Sequence, residues 1–172
     1  ALFTMNPPLR YAKDNQRLWQ AVMEGDIAIL STDHCPYHKQ YKYGTDYLTV
    51  PCGVDGVQMR MQYLFSEGVI KRGLNMVEFA KITATNAAKF YNLYPAKGVI
   101  REGSDADLAF FDPEIQWRWG ADQIAGNTDY TVMEGLPVQG KVTTTLKNGK
   151  IVYDGEQVLS EKGSGRFLPN VW

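Results

Sequence analysis

Two hydrophobic periods in succession near the start of the chain constrain its fold most. From Asp14 to Glu24, the apolar residues Leu18, Ala21 and Val22 recur at offsets of three and four, with Trp19 beside them. That spacing predicts an amphipathic helix. Gly25 fits its C-terminal cap, because glycine enters the left-handed region without a Cβ clash. The next apolar run, Ile27-Ala28-Ile29-Leu30, predicts a short buried strand. Leu2 to Met5 predicts another strand ahead of the helix. Asn6-Pro7-Pro8-Leu9 ends it, since each proline removes a donor and restrains the residue before it. Strand, helix, strand is a βαβ signature with a right-handed crossover.

The rest of the chain divides by period. His38 to Pro51 is rich in Tyr, Lys and Gly and has no period, which predicts a long loop over the mouth of a site. Val57, Met61, Leu64 and Phe65 predict a helix over Val57–Glu67, with Gly68 near its end. A second helix is expected over Met76–Thr83. Thr85-Asn86 can cap a third, short one holding Ala87, Ala88, Phe90 and Tyr91. Beyond Lys97-Gly98 the pattern turns to strands. Ala106 to Phe111 is one, ended by Asp112-Pro113. Val142–Leu146 and Ile151–Tyr153 flank Lys147-Asn148-Gly149-Lys150, where Asn-Gly is a strong hairpin signal. Glu114 to Gly140 reads as a less regular excursion. Gly163 to Pro169 reads as an arm that packs on something else. The fold class is therefore α/β, with residues 1–97 of βα type and residues 98–172 mainly β.

Composition excludes several classes. The net charge is -1 with no basic block, so nucleic acid is not expected as a partner. No apolar run approaches the roughly 18 residues of a membrane helix, and no signal-peptide pattern opens the chain. Two cysteines make a weak disulfide case and fit a reduced, cytoplasmic setting. At 172 residues the chain is well short of the roughly 250 of a complete eight-stranded βα barrel. Ala1 to Met5 reads either as a processed N-terminus or as sequence from within a longer protein.

Ser31-Thr32-Asp33-His34-Cys35-Pro36 concentrates the residues able to do chemistry. A strand over Ile27–Leu30 would deliver Asp33 to its C-terminal end, the face on which α/β barrels build active sites. The plain alternative is a turn aspartate closing a loop. Adjacent residues at a strand end point oppositely, so an inward Asp33 turns His34 away and gives it a loop-anchoring role. His38 is expected to be exposed. Cys35, followed by Pro36, is expected to pack, and a lone cysteine is no zinc site.

Three stretches together resemble the cyclic amidohydrolases, specifically the dihydropyrimidinase and hydantoinase group. They are Ser31 to Pro36, Val50-Pro51-Cys52-Gly53-Val54-Asp55-Gly56, and Gly103-Ser104-Asp105-Ala106-Asp107-Leu108. The likeness continues through Thr83-Ala84-Thr85-Asn86-Ala87-Ala88-Lys89, Leu93-Tyr94-Pro95-Ala96-Lys97-Gly98 and Gly163-Ser164-Gly165-Arg166-Phe167. The resemblance implies the C-terminal part of an amidohydrolase-type TIM barrel, followed by strands of a small β-sandwich. It implies hydrolysis of the ring amide of a dihydropyrimidine or hydantoin by a binuclear-metal hydroxide. On the same ground Asp33 binds one metal and shuttles the proton. Asn6, directly before the proline pair, and Cys52 hold the substrate, largely through backbone groups. Hydantoinases typically carry Asn where this chain has Cys52, a departure that bears on substrate identity.

The implied cofactors are two divalent ions, zinc-like, in the intact enzyme, and none for this chain by itself. The implied partners are a small cyclic ureide or imide, the remainder of the barrel, and further copies in a homotetramer with the tail as a contact. The family's His-x-His pair, carboxylated lysine and two further histidines have no counterpart here, since the chain holds only His34 and His38. Allantoinase and dihydroorotase are the alternatives within the superfamily. A non-catalytic dihydropyrimidinase-related scaffold is the alternative outside enzymes.

Overall fold

The first helix, α1, spans Ala12–Glu24 in the computed structural model, which describes residues 1–44, 46 and 48–169. Asp14 caps it by accepting the Tyr11 N–H at 3.0 Å. Gly25, at φ 84°, ends it as expected, and the following Asp26 N–H closes on Ala21 O at 2.9 Å. The buried stripe of α1 centres on Val22, with Trp19 packed beside it.

The strands expected on either side of α1 do not form. Leu2 and Phe3 make a turn, closed by the Thr4 N–H on Ala1 O at 2.9 Å. Ile27–Leu30 belongs to no ladder among the described residues. A strand exists only when a neighbour takes its polar groups, and here other groups take them. The Leu30 N–H meets Ile82 O at 3.5 Å. Arg60 donates to Leu30 O at 3.0 Å and Asn86 to Ala28 O at 2.8 Å. Apolar contacts of Ile27 and Leu30 with the core complete the anchoring.

The expected loop His38–Pro51 contains a one-turn helix, α2, at Lys39–Lys42. The helix expected from Val57 begins instead as α3 at Arg60–Tyr63 and continues as a wider, π-helical stretch over Leu64–Ile70. Gly68 is buried inside it, where a Cβ would lie 3.3 Å from both Leu64 and Trp19. The turn is made later, at Gly73, with φ 75°. Helix α4, Met76–Ala80, opens on Asn75, whose side chain accepts the Glu78 N–H at 2.9 Å. It runs on through a π-helical stretch, Lys81–Thr85, into α5 at Asn86–Phe90. Thr85 and Asn86 therefore cap nothing. Thr85 is helical, and its hydroxyl donates to Gly98 O at 2.7 Å while Asn86 reaches back to Ala28.

Three antiparallel strands follow in the order β1 (Leu108–Arg118), β2 (Pro137–Lys147), β3 (Lys150–Tyr153). The β2–β3 turn has left-handed Asn148 (φ 51°) and Gly149 (φ 76°), the geometry that Asn-Gly favours. Strands β1 and β2 reach well into the stretch read as an irregular excursion. The ladder resumes with Gln116 opposite Gln139 and Trp117 opposite Val138. A register shift between Asp112 and Gln116 accommodates Pro113, which has no N–H to give, so the proline interrupts pairing without ending the strand.

Helices and sheet share one apolar core. Phe65 lies 4.7 Å from Phe111 of β1 and 5.8 Å from Phe79 of α4, ring centre to ring centre. Gly140 lets β2 approach that cluster, since a Cβ there would fall 2.4 Å from Phe111 Cζ. A second apolar group, Met59, Trp119 and Val138, joins the start of α3 to the sheet.

Candidate functional site

Three chain segments meet at the end of the molecule that carries Asp33, and backbone bonds hold them together. The Gly53 N–H donates to Thr4 O at 3.1 Å, and the Cys35 N–H to Val54 O at 3.1 Å. Gly53 permits this closeness. A Cβ at that position would stand 2.3 Å from Cys35 O, so no other residue fits without moving the Cys35 strand of chain. A fourth segment packs over the junction. Thr128 donates its hydroxyl to Tyr37 O at 2.9 Å, Tyr130 to Leu2 O at 3.3 Å, and Asp129 accepts the Lys39 N–H at 2.8 Å.

Asp33 and His34 have different surroundings. His34 Nδ1 accepts the N–H groups of Gly56 at 3.1 Å and Val57 at 3.3 Å. That nitrogen is therefore an acceptor, and the imidazole pins the Gly-rich turn ahead of α3. Asp33 is exposed and left-handed, at φ 45°, a conformation that Asp tolerates better than most residues. Asn6 and Cys52 are exposed on the neighbouring segments. Asn6 lies two residues beyond Thr4, and Cys52 directly before Gly53, so the Thr4–Gly53 bond joins their two segments.

Cys35 and His38 depart from expectation. Cys35 is exposed rather than packed, and its thiol donates to the Tyr37 hydroxyl at 3.6 Å. The Tyr37 pKa is raised, because an ionised Cys35 sulfur accepts the phenol's hydrogen bond and repels a phenolate. His38 is partly covered and stands 3.7 Å from Asp129 Oδ1. The Asp129 carboxyl is held below its ordinary value, chiefly by the Lys39 N–H.

Three residues that sequence reasoning left aside organise this region. Lys42 has no accessible surface, and its ammonium donates to Thr4 O and Pro51 O at 2.7 Å and to Gly53 O at 2.9 Å. Burial lowers its pKa, against an opposing pull from the Cys52 and Cys35 thiols. Asp55 is buried, with Oδ1 lacking a hydrogen-bond partner among the described residues. Burial, with Asp55 and then Asp129 adding negative charge, raises the pKa of the Tyr130 phenol. Arg60 holds Leu30 O, at the end of the segment leading to Asp33. Lys42 sits in a stretch with no period, and Asp55 between glycines reads as an ordinary turn residue. Neither carries a local signal.

Among the described residues no three of His, Cys, Asp and Glu are grouped to hold a metal ion. Asp33 fits a metal as one ligand of a larger set. An exposed carboxylate is a suitable oxygen donor, and the His34 nitrogen already bonded to the backbone is not available beside it.

The amidohydrolase family pattern matches residues 6–152. A D-phenylhydantoinase of Escherichia coli O1:K1 / APEC is 32% identical over 169 residues, 96% of this chain and 37% of the relative. The crystal structure of dihydropyrimidinase from Brevibacillus agri NCHU1002 superimposes with a TM-score of 0.93 at 35% identity, over 97% of this chain and 37% of that one. The L-hydantoinase (dihydropyrimidinase) from Arthrobacter aurescens superimposes at 0.90 with 30% identity, over 97% and 38%. The chain thus spans about 37% of the length of the curated relatives it matches. It has the fold of part of an amidohydrolase-type barrel followed by sandwich strands, and the chain belongs to the amidohydrolase family, within which it is similar to the dihydropyrimidinases and hydantoinases.

Proposed function

We propose that the protein carrying this chain hydrolyses the ring amide of a cyclic ureide or imide, of the dihydropyrimidine or hydantoin kind. One observation carries the reading. Almost the whole chain superimposes on hydantoinases and dihydropyrimidinases at TM-scores of 0.90 to 0.95, with the segments of Asn6, Asp33 and Cys52 bound into one junction. D- and L-hydantoinases are matched alike, so the reading names a ring class and not a hand.

Hydrolysis adds water across the ring C–N bond, oxygen to the carbonyl carbon and a proton to the departing nitrogen. A pair of divalent ions, when bound, polarises the carbonyl and lowers the pKa of water. Asp33 would be one ligand of that pair, with the other ligands supplied from outside this chain. Its carboxylate takes the proton from water and delivers it to the ring nitrogen as the C–N bond breaks. Backbone N–H and C=O groups at Asn6 and Cys52 hold the ring's own amide edge. His34, Arg60 and Gly53 keep these loops in place through the contacts above.

Zinc as the metal, a homotetramer and a cytoplasmic setting complete the proposal. The resemblance supports the first two. The free thiols of Cys35 and Cys52 support a reducing compartment. No helix among the described residues is long and apolar enough to cross a membrane. We also take residues 1–97 as barrel and 98–172 as sandwich and tail, on the change from helices to strands between Phe90 and Leu108.

The test is a ring-opening assay on the intact protein with dihydrouracil, hydantoin, allantoin and dihydroorotate. Turnover of dihydrouracil or hydantoin is expected. Asp33→Ala should lower kcat at least about a hundredfold, from the proton-transfer contribution alone. Near-normal turnover in Asp33→Ala, or a protein that opens none of the rings, would overturn the proposal.

A further inference from the structure

Lys42 ends α2 with no accessible surface, although its side chain carries a charge. An ammonium has three N–H donors and no acceptor. Here all three are spent on backbone carbonyls, those of Thr4, Pro51 and Gly53, at 2.7, 2.7 and 2.9 Å. The Tyr37 ring lies 5.8 Å away on the same cluster. Removing a charge from water is costly unless the lost hydrogen bonds are replaced, and three carbonyls replace them.

The placement of those carbonyls is informative. Pro51 and Gly53 flank Cys52 on both sides, and Thr4 lies two residues ahead of Asn6. The Thr4 carbonyl also accepts the Gly53 N–H, so one oxygen serves both the ammonium and the facing segment. A lysine serving only as a filler would need none of this. Its stem could be replaced by an apolar side chain with no orphaned carbonyls.

We propose that Lys42 is a positioning residue for the ring-holding backbone, fixing the spacing between the segment of Asn6 and the segment of Cys52. The substrate role of those segments rests on the proposed function, whereas the clasp itself does not. Lys42 touches backbone, so its influence on a ring would run through Asn6 and Cys52. A clasp of fixed geometry would discriminate five- from six-membered rings by how well their amide edges meet both segments at once.

The test uses the intact protein and the variant Lys42→Met, which keeps an apolar stem and removes every donor. Two readouts are taken. Hydrogen exchange at Gly53, whose N–H spans the two segments, should speed up at least about tenfold, while the β1–β2 ladder keeps its protection. KM for hydantoin and dihydrouracil should rise at least about tenfold with a much smaller change in kcat, and their ratio should shift. If Lys42→Met does not fold, Lys42→Gln, which keeps two donors, carries the same measurements. Wild-type exchange at Gly53, or unchanged KM values and ring ratio in the folded variant, would overturn the proposal. Protection lost uniformly across the protein would also overturn it, by showing a purely structural lysine. Should the unaltered protein open no ring, the functional reading fails by itself, and the exchange at Gly53 still decides whether the clasp exists.

Discussion

Neighbouring residues in this chain divide their labour by where their atoms are spent. His34 gives its Nδ1 to two backbone N–H groups, whereas Asp33 stays exposed. Cys52 is exposed between two carbonyls held by Lys42. If backbone does the holding there, the side chain tunes and does not create binding. Cys52→Asn is therefore expected to shift the ratio of kcat/KM between hydantoin and dihydrouracil while activity persists. Complete loss of turnover with intact fold and metal content would mean that the thiol itself takes part. Glu67 offers a prediction in pH. Its burial raises the carboxyl pKa, but Lys71 and Arg72, the latter at 2.9 Å, outweigh this and leave it below the ordinary value. A lowered folded pKa gives stability that is present above the unfolded value, about 4.3, and is lost as pH falls through the folded one. The difference in Tm between wild type and Glu67→Gln should hold at about pH 7 and shrink steadily below about pH 4. A difference that ignores pH would show that the pairing contributes nothing.

At the scale of elements, the helices meet the sheet through a narrow opening at Gly140. Its φ is 90°, and a Cβ would fall 2.4 Å from Phe111 Cζ and 2.7 Å from Phe65 Cδ1. Gly140→Ala should destabilise by about 2–5 kcal/mol, combining overpacking of about 1–3 with a left-handed cost of about 1–2. Denaturant unfolding reads this directly, and an unchanged midpoint would mean that the rings yield freely. Elements with local signals were legible. The α1 stop at Gly25 and the Asn148-Gly149 hairpin follow from turn chemistry held within a few residues. The far half of β1 was not, because Pro113 carries a stop signal that a register shift absorbs. Nor was the continuity of Met76 through Phe90, where Thr85 and Asn86 look like caps but bond to Gly98 and Ala28 instead.

For the molecule as a whole, ligand count decides what this chain can do alone. A catalytic zinc takes about three protein ligands, and a two-metal site takes more. The chain has two histidines, and His34 commits one nitrogen to backbone. Prepared by itself, the 172-residue chain is expected to hold no metal pair and to open neither dihydrouracil nor hydantoin. Elemental analysis after dialysis and the same ring-opening assay check this, and two tightly held ions per chain would contradict it. As part of a barrel, the isolated chain is also expected to self-associate, which its mass in solution measures and a monomer would contradict.

By itself the sequence determined whatever depends on near neighbours. That includes the amphipathic α1 and its glycine stop, the Asn-Gly hairpin, and the motifs around Asp33 and Asp105 that mark the amidohydrolase family. Only the tertiary structure decided the rest. Ile27–Leu30 has the apolar run of a strand yet no ladder, because a strand is a relation to a partner and its polar groups meet Arg60, Asn86 and Ile82 instead. Lys42 lies in a stretch with no readable period, and its three carbonyls come from two segments, Thr4 lying 38 residues before it and Pro51 and Gly53 lying 9 and 11 after it. Periodicity and turn chemistry register local energies. A buried charge is placed by groups that meet only after the chain has folded, so its role appears only in the assembled molecule.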